Sequence, residues 1–262
     1  MIPKSGNRFS DKIMQKEGFT PDHRAARVVP SPNHDARTTP IDILLLHYTG
    51  MKSAEAAFER LTDPAAKVSS HYLVYEDGRV DQLVAEARRA WHAGVSSWKG
   101  TTDINSHSVG IEIVNPGHDF GYRDFPEAQI DAVIALGRDV VARHGIARER
   151  VLGHSDVAPA RKQDPGEKFP WARLAAAGVG LWVEPAPIAP GKQLGLDDRG
   201  AGVAELQRML VRFGYAADIT HRYDKATSEV IAAFQRHFRP ARVDGIADMS
   251  TVDTLRRLLT VA

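Results

Sequence analysis

"IDILLLHY", Ile41 to Tyr48, is the stretch from which the architecture can be worked out. It is a short apolar run rich in branched residues, the signature of a buried strand. Its end carries a titratable side chain, His47. Upstream, residues 1 to about 40 are polar and punctuated by Pro30, Pro32 and Pro40, and read as an extended arm. Downstream, Ser53 is placed to cap a helix through "AEAAFERL". "SHYLVYEDGRVDQLV" then gives two short strands around Asp77-Gly78, a hairpin signal. In "SVGIEIV" (Ser108 to Val114), Val109, Ile111 and Ile113 share one face of a strand and Gly110, Glu112 and Val114 the other. In "FPEAQIDAVIALGRDVVARHG", Ile130, Val133, Ile134, Val140 and Val141 recur at helical spacing, with Pro126 suited to the first turn and Gly145 to the stop. "RVLGH" is a further strand, ending at His154. Strands mixed with helices, one hairpin among them, imply an α/β fold: a mixed central sheet flanked by helices.

"EPAPIAPGKQLG", Glu184 to Gly195, holds several prolines and glycines and reads as a semi-rigid linker. Beyond it three apolar sets recur at helical spacing: Val203, Leu206, Met209, Leu210 and Phe213; Val230, Ile231, Phe234 and Phe238; Val252, Leu255, Leu258 and Leu259. The expected organisation is an arm at 1–36, a main domain at 37–183, the linker at 184–195 and a three-helix domain at 196–262.

The bulk numbers exclude several classes. With 262 residues and 43% hydrophobic content, the chain suits one sizeable core plus a satellite domain. A formal net charge of +1 is far from the basic footprint of a nucleic-acid binder. The absence of cysteine rules out disulfides and thiolate catalysis, so any metal site must use histidine and carboxylate. "MIPKSGNRFSDKIMQKEGF" has no apolar core of a secretory signal, and no run approaches the ~20 apolar residues of a membrane span. The expectation is a cytoplasmic protein, with a periplasmic or wall-associated one as the alternative.

The densest chemistry sits in "GHSDVAPARKQDPG", Gly153 to Gly166, which holds His154, Asp156, Arg161, Lys162 and Asp164. His47 and His154 at strand ends, with Asp164 in the loop, would give two imidazoles and one carboxylate. That set leaves a fourth position open, as catalytic zinc sites do. Glu112 interrupts an apolar strand. On a half-exposed sheet it is a solvent-facing residue; under cover, burial raises its pKa and makes it a candidate general base. Lys162 is by itself a solvated loop lysine, and beside a metal it could stabilise an oxyanion.

These segments together resemble a known family. "LLLHYTG", "VSSHYLVYEDGRVDQLV", "AWHAGVSSW", "SVGIEIVNPG" and "GHSDVAPARKQDPG" occur in order, from about Arg27 to about Trp182, as in the bacterial N-acetylmuramoyl-L-alanine amidases of the amidase-2 class. Phage amidase-type lysozymes and animal peptidoglycan recognition proteins are related to these zinc enzymes. "GVAELQRMLVRFGY", "AFQRHFRP" and "VDGIADMSTVDTL" are similar to the three-helix peptidoglycan-binding domain often appended to them. The resemblance implies zinc ligands His47, His154 and Asp164, one Zn2+ per chain, with Glu112 as general base and Lys162 supporting the oxyanion. It implies hydrolysis of the amide between N-acetylmuramic acid and L-alanine of the stem peptide, with peptidoglycan or muropeptide fragments as partners. The alternative is a binding-only recognition protein, against which the intact ligand set argues. His71, Trp91, His92 and Arg161 are candidate groove residues; the alternatives are packing within the hairpin for His71, core packing for Trp91 and support of the loop for Arg161. Lys67 matches a basic position of members specific for 1,6-anhydromuropeptides, whereas Asp103 falls where those have arginine. Asp156 is expected to cap or turn rather than to bind metal.

Overall fold

Ten short strands and eight helices follow one another in the computed structural model, which describes residues 19–262. They are β1 (Arg27–Val28), β2 (His34–Ala36), β3 (Ile43–Tyr48), α1 (Ala54–Thr62), β4 (Tyr72–Val74), β5 (Val80–Gln82), β6 (Arg88–Ala90), α2 (Ile104–His107), β7 (Ser108–Ile113), α3 (Glu127–His144), β8 (Val151–Gly153), α4 (His154–Val157), α5 (Trp171–Ala176), β9 (Gln193–Leu194), α6 (Ala201–Phe213), α7 (Lys225–Phe238), β10 (Ala247–Asp248) and α8 (Met249–Leu258). The first half of the expected arm, including the segment read for a secretory signal, lies outside the described residues. The second half is not a free arm: β1 pairs with β5 and β2 with β6, and Arg27 grips Asp81 with two hydrogen bonds of 2.9 and 2.7 Å. No helix among the described residues is long and apolar enough to cross a membrane.

The expected mixed α/β fold is present. The central sheet has the order β1-β5-β4-β7-β3-β8. Only the β4–β5 hairpin is antiparallel within it. The apolar run of β3 sits between β7 and β8, which is why all of Ile43 to Leu46 is fully buried. Strand alternation then divides the core. Leu44, Leu46, Val109, Ile111 and Ile113 pack under α3, whose Ile130, Val133, Leu136 and Val140 form the facing stripe. Ile43 and Leu45 face the other way, toward Trp98, Leu152 and Val157. Ser53 caps α1 by accepting from the Ala56 N–H, and Gly145 ends α3 in a left-handed conformation.

The three C-terminal helices form as their spacing predicts. Asp224 caps α7 and Asp248 caps α8 through the N–H groups of Thr227 and Thr251. Their core is continuous with the Ile43–Leu45 side of the sheet. The Pro/Gly-rich stretch lies against α8: the Ala186 N–H donates to Thr254 Oγ1, and Ser250 Oγ–H donates to the Ala186 carbonyl.

Candidate active site

Three neighbouring parallel strands, β7, β3 and β8, end on the same side of the sheet, where open α/β sheets place their ligands. In the β3–β7 register His47 faces Glu112, and in the β3–β8 register Leu46 faces Gly153, one residue before His154. Register partners on parallel strands project from the same face. Strand pairing alone therefore brings His47, Glu112 and His154 to one spot, although they are distant in sequence. The loop after α4 returns Asp164 to it, held by a hydrogen bond from the Ser155 N–H to the Asp164 carbonyl at 2.9 Å.

His47 Nδ1 and His154 Nδ1 lie 2.9 Å apart, and Asp164 Oδ2 is 3.0 Å from each. All three residues are buried. Donor and acceptor accounting fixes the tautomers. Ser108 Oγ–H donates to the Ile104 carbonyl at 2.6 Å, so Ser108 Oγ accepts from His92 Nε2–H at 3.2 Å. His92 Nδ1 must then accept from His47 Nε2–H at 3.0 Å, which leaves His47 Nδ1 bare. His154 Nε2–H donates to the Ala93 carbonyl at 2.9 Å, so in its neutral form, the form that binds metal, His154 has Nδ1 bare as well. Two bare imidazole nitrogens and a carboxylate oxygen thus converge, with ligand atoms all within 4.8 Å of one another. Each imidazole has its other nitrogen tied down, the outer-shell pattern of metal-ligating histidines. The residues fit a divalent metal ion.

The electrostatics agree. Burial first, and the adjacent His154 second, hold the His47 imidazole down to about 4, so it is neutral as a ligand must be. Burial pushes the Asp164 carboxyl upward, but His154 and His47 outweigh it and keep the group well below the usual carboxylate range. Glu112 behaves oppositely. Burial, then the neighbouring Asp164, push it well above that range, while Lys162 opposes. Its Oε2 is buried with no hydrogen-bond partner among the described residues. The outcome is a carboxylate already committed to ligation beside a carboxyl group free to exchange a proton.

A cleft of about 350 Å³ opens over this cluster, and Glu112, Lys162, His92 and Arg161 border it. The remaining groove candidates fall elsewhere. His71 is fully buried: its Nδ1 accepts from the Gly110 N–H at 2.9 Å and its Nε2 meets the Arg88 carbonyl at 3.1 Å, so it braces strands rather than lines the groove. Trp91 turns its Nε1–H to Asp35 at 2.6 Å. Lys67 is an exposed residue closing a short helical turn. His92 touches the cleft but acts behind His47. Arg161 does both jobs: it borders the cleft and donates to the Ala93 and Val95 carbonyls, pinning that loop. Asp103 caps α2 and holds Arg89 at 2.8 Å. Asp156 takes the Gly153 N–H at 2.8 Å, the turn role expected for it.

Tyr48 and His118, which no sequence motif singles out, also border the cleft. Tyr48 Oη lies 2.9 Å from His118 Nδ1, and His118 Nε2 lies 3.2 Å from Glu167. Their sequence signal is a tyrosine directly after a ligand histidine and a histidine in the glycine-rich "NPGHDFG" that follows β7.

Residues 37–167 match the family described as N-acetylmuramoyl-L-alanine amidase. The N-acetylmuramoyl-L-alanine amidase AmiD of Escherichia coli (strain K12) is 38% identical over 265 residues, covering 94% of this chain and 90% of that protein. The chain belongs to this amidase family. Residues 199–255 of the amidase match a putative peptidoglycan binding domain. The 1,6-anhydro-N-acetylmuramyl-L-alanine amidase AmpD of Enterobacter cloacae is 36% identical over 172 residues, covering 58% of the amidase and 89% of that protein. Among solved structures, AmiD from E. coli, in complex with the substrate anhydro-N-acetylmuramic acid-L-Ala-D-gamma-Glu-L-Lys, superposes with a TM-score of 0.73 at 36% identity, covering 87% of the amidase and 92% of that chain. AmpDh3 from Pseudomonas aeruginosa gives 0.70 at 32% identity, covering 93% and 98%.

Proposed function

We propose that the amidase is a one-zinc hydrolase of muropeptides, cleaving between the lactyl carbonyl of N-acetylmuramic acid, or its 1,6-anhydro form, and L-alanine of the stem peptide. The observation that carries this is the convergence of two bare Nδ1 atoms and one carboxylate oxygen, each imidazole locked in the ligating tautomer from behind. Zinc bound there supplies a Lewis acid and lowers the pKa of water. Around it the chain's own groups divide the work. Glu112, with its raised pKa and unpartnered Oε2, takes a proton from the attacking water and returns it to the departing L-alanine amine. Lys162, bordering the same cleft, faces the carbonyl oxygen as negative charge gathers on it. Arg161 keeps the loop at Ala93 to Val95 in place, and with it the carbonyl that orients His154.

The test is incubation of the purified protein with anhydromuramyl and muramyl tripeptides, zinc-loaded and after EDTA, beside Glu112→Gln. Free tripeptide with an L-alanine N-terminus is expected from the wild type, lost with EDTA and restored by zinc. Glu112→Gln is expected to bind one zinc but to lose about 10²–10⁴ in kcat. Release indifferent to EDTA would sink the metal assignment; a zinc-free Glu112→Gln would sink the assignment of the base.

A further inference from the structure

The C-terminal helical domain reaches the ligand-bearing loop at both of its ends, through two successive residues of α7. At the near end Asp156, two residues after His154, accepts three hydrogen bonds. Tyr215 Oη–H donates to Oδ1 at 2.7 Å, His237 Nδ1–H to Oδ2 at 2.7 Å and the Gly153 N–H to Oδ2 at 2.8 Å. Asp156, Tyr215 and His237 are each no more than 2% exposed. At the far end Arg236 Nη2 donates at 3.4 Å to Gln163 Oε1, the residue between Lys162 and Asp164. The His237 ring stacks on Trp171 of the main domain at 3.7 Å.

We propose that α7 is a brace for the metal ligands, and that Asp156, Tyr215 and His237 are positioning residues for His154 and Asp164. This rests on the reading of those two residues as ligands. The argument is one of local insufficiency. α4 has four residues, His154–Val157, too few to hold its own shape in water. Its one buried carboxylate must find donors or suffer the large cost of an unpaired buried charge. Two of its three donors come from the other domain. When they engage, Asp156 is fixed against Gly153, α4 is fixed behind the strand end, and the His154 ring is aimed at His47. The Ser155 N–H carries the same constraint to the Asp164 carbonyl. A domain serving solely as a wall tether would hang from its linker without contributing to this loop.

The experiment uses the full chain and zinc itself as probe. Zinc dissociation constants, by competition with a chromophoric chelator, and melting temperatures with and without zinc are measured for wild type, Tyr215→Phe, His237→Leu and His237→Asn. Tyr215→Phe keeps the ring and removes one donor; His237→Leu removes the other; His237→Asn restores an N–H near the position of Nδ1. Zinc is expected to bind several-fold more weakly in Tyr215→Phe and about 10–100-fold more weakly in His237→Leu, with recovery in His237→Asn, as for other outer-shell supports. The zinc-induced rise in melting temperature should shrink in the same order, whereas a purely structural role would lower both melting temperatures equally. If His237→Leu fails to fold, Tyr215→Phe decides alone. A folded Tyr215→Phe or His237→Leu that binds zinc as tightly as wild type overturns the brace. A wild type that binds no zinc overturns the metal assignment instead.

Discussion

His92 illustrates what a single side chain can conceal. In sequence it belongs to "AWHAG" and reads as a groove residue. In the structure it is buried, and its two nitrogens link His47 to Ser108. The ring fits because residue 110 is glycine: a Cβ there would come within 2.5 Å of His92 Nδ1. Replacing His92 by Phe keeps a similar ring volume but removes the acceptor for His47 Nε2–H, leaving the imidazole free to change tautomer. Zinc affinity should fall about 10–100-fold, read by chelator competition. Unchanged affinity would show that the tautomer is set some other way. The sequence could not reveal this role, because Ser108 and Gly110 of β7 become neighbours of His92 only when the loop after β6 folds over that strand. Glu112 was legible for the opposite reason. A carboxylate in an apolar strand is anomalous wherever it is read, and only its environment had to be supplied.

The secondary-structure elements were legible where their periodicity is long. β3, β7, α3 and the three C-terminal helices all stand where spacing placed them. β2, β6 and α4 were not, because three or four residues carry no period and these elements exist through their partners. Glu86, just before β6, shows how such partners are recruited. Its carboxylate is buried and takes hydrogen bonds from Tyr72 Oη–H at 2.6 Å, His144 Nε2 at 2.6 Å and the Arg143 guanidinium at 2.9 and 2.8 Å, tying the end of α3 to the sheet. Burial works against ionisation, but the hydrogen bonds from His144, Arg143 and Tyr72 prevail and hold Glu86 down to about 2, from an ordinary 4.5. A carboxylate depressed in the folded state stabilises fully above its unfolded pKa. That contribution, about 3 kcal/mol, is lost as pH falls from about 4.5 toward 2. Urea midpoints of metal-free protein at successive pH values should therefore drop more steeply below pH 4.5 for wild type than for Glu86→Gln. Parallel curves would mean that Glu86 titrates as it does in the unfolded chain.

The two domains share one hydrophobic core, and that has consequences for how the molecule unfolds. Trp98 lies in the loop after β6 and is fully buried, edge-on to Phe213 at 5.8 Å and to Tyr215 at 5.0 Å. The Lys99 N–H donates to the Gly214 carbonyl at 2.8 Å, and a Cβ on Gly214 would come within 2.5 Å of the Trp98 ring. Apolar contact then runs without a break from Ile43 and Leu45 through Trp98 to α6, α7 and α8. Domains joined by a flexible linker melt independently; domains that bury a tryptophan between them cannot, because either one unfolding exposes the other's core. Calorimetry should accordingly show one transition, with calorimetric and van't Hoff enthalpies equal. Trp98→Ala should cost about 3–5 kcal/mol and lower that one transition, or split it into two as the shared core is hollowed out. Two resolved transitions in the wild type would show that the two domains unfold separately despite the apolar contacts between them.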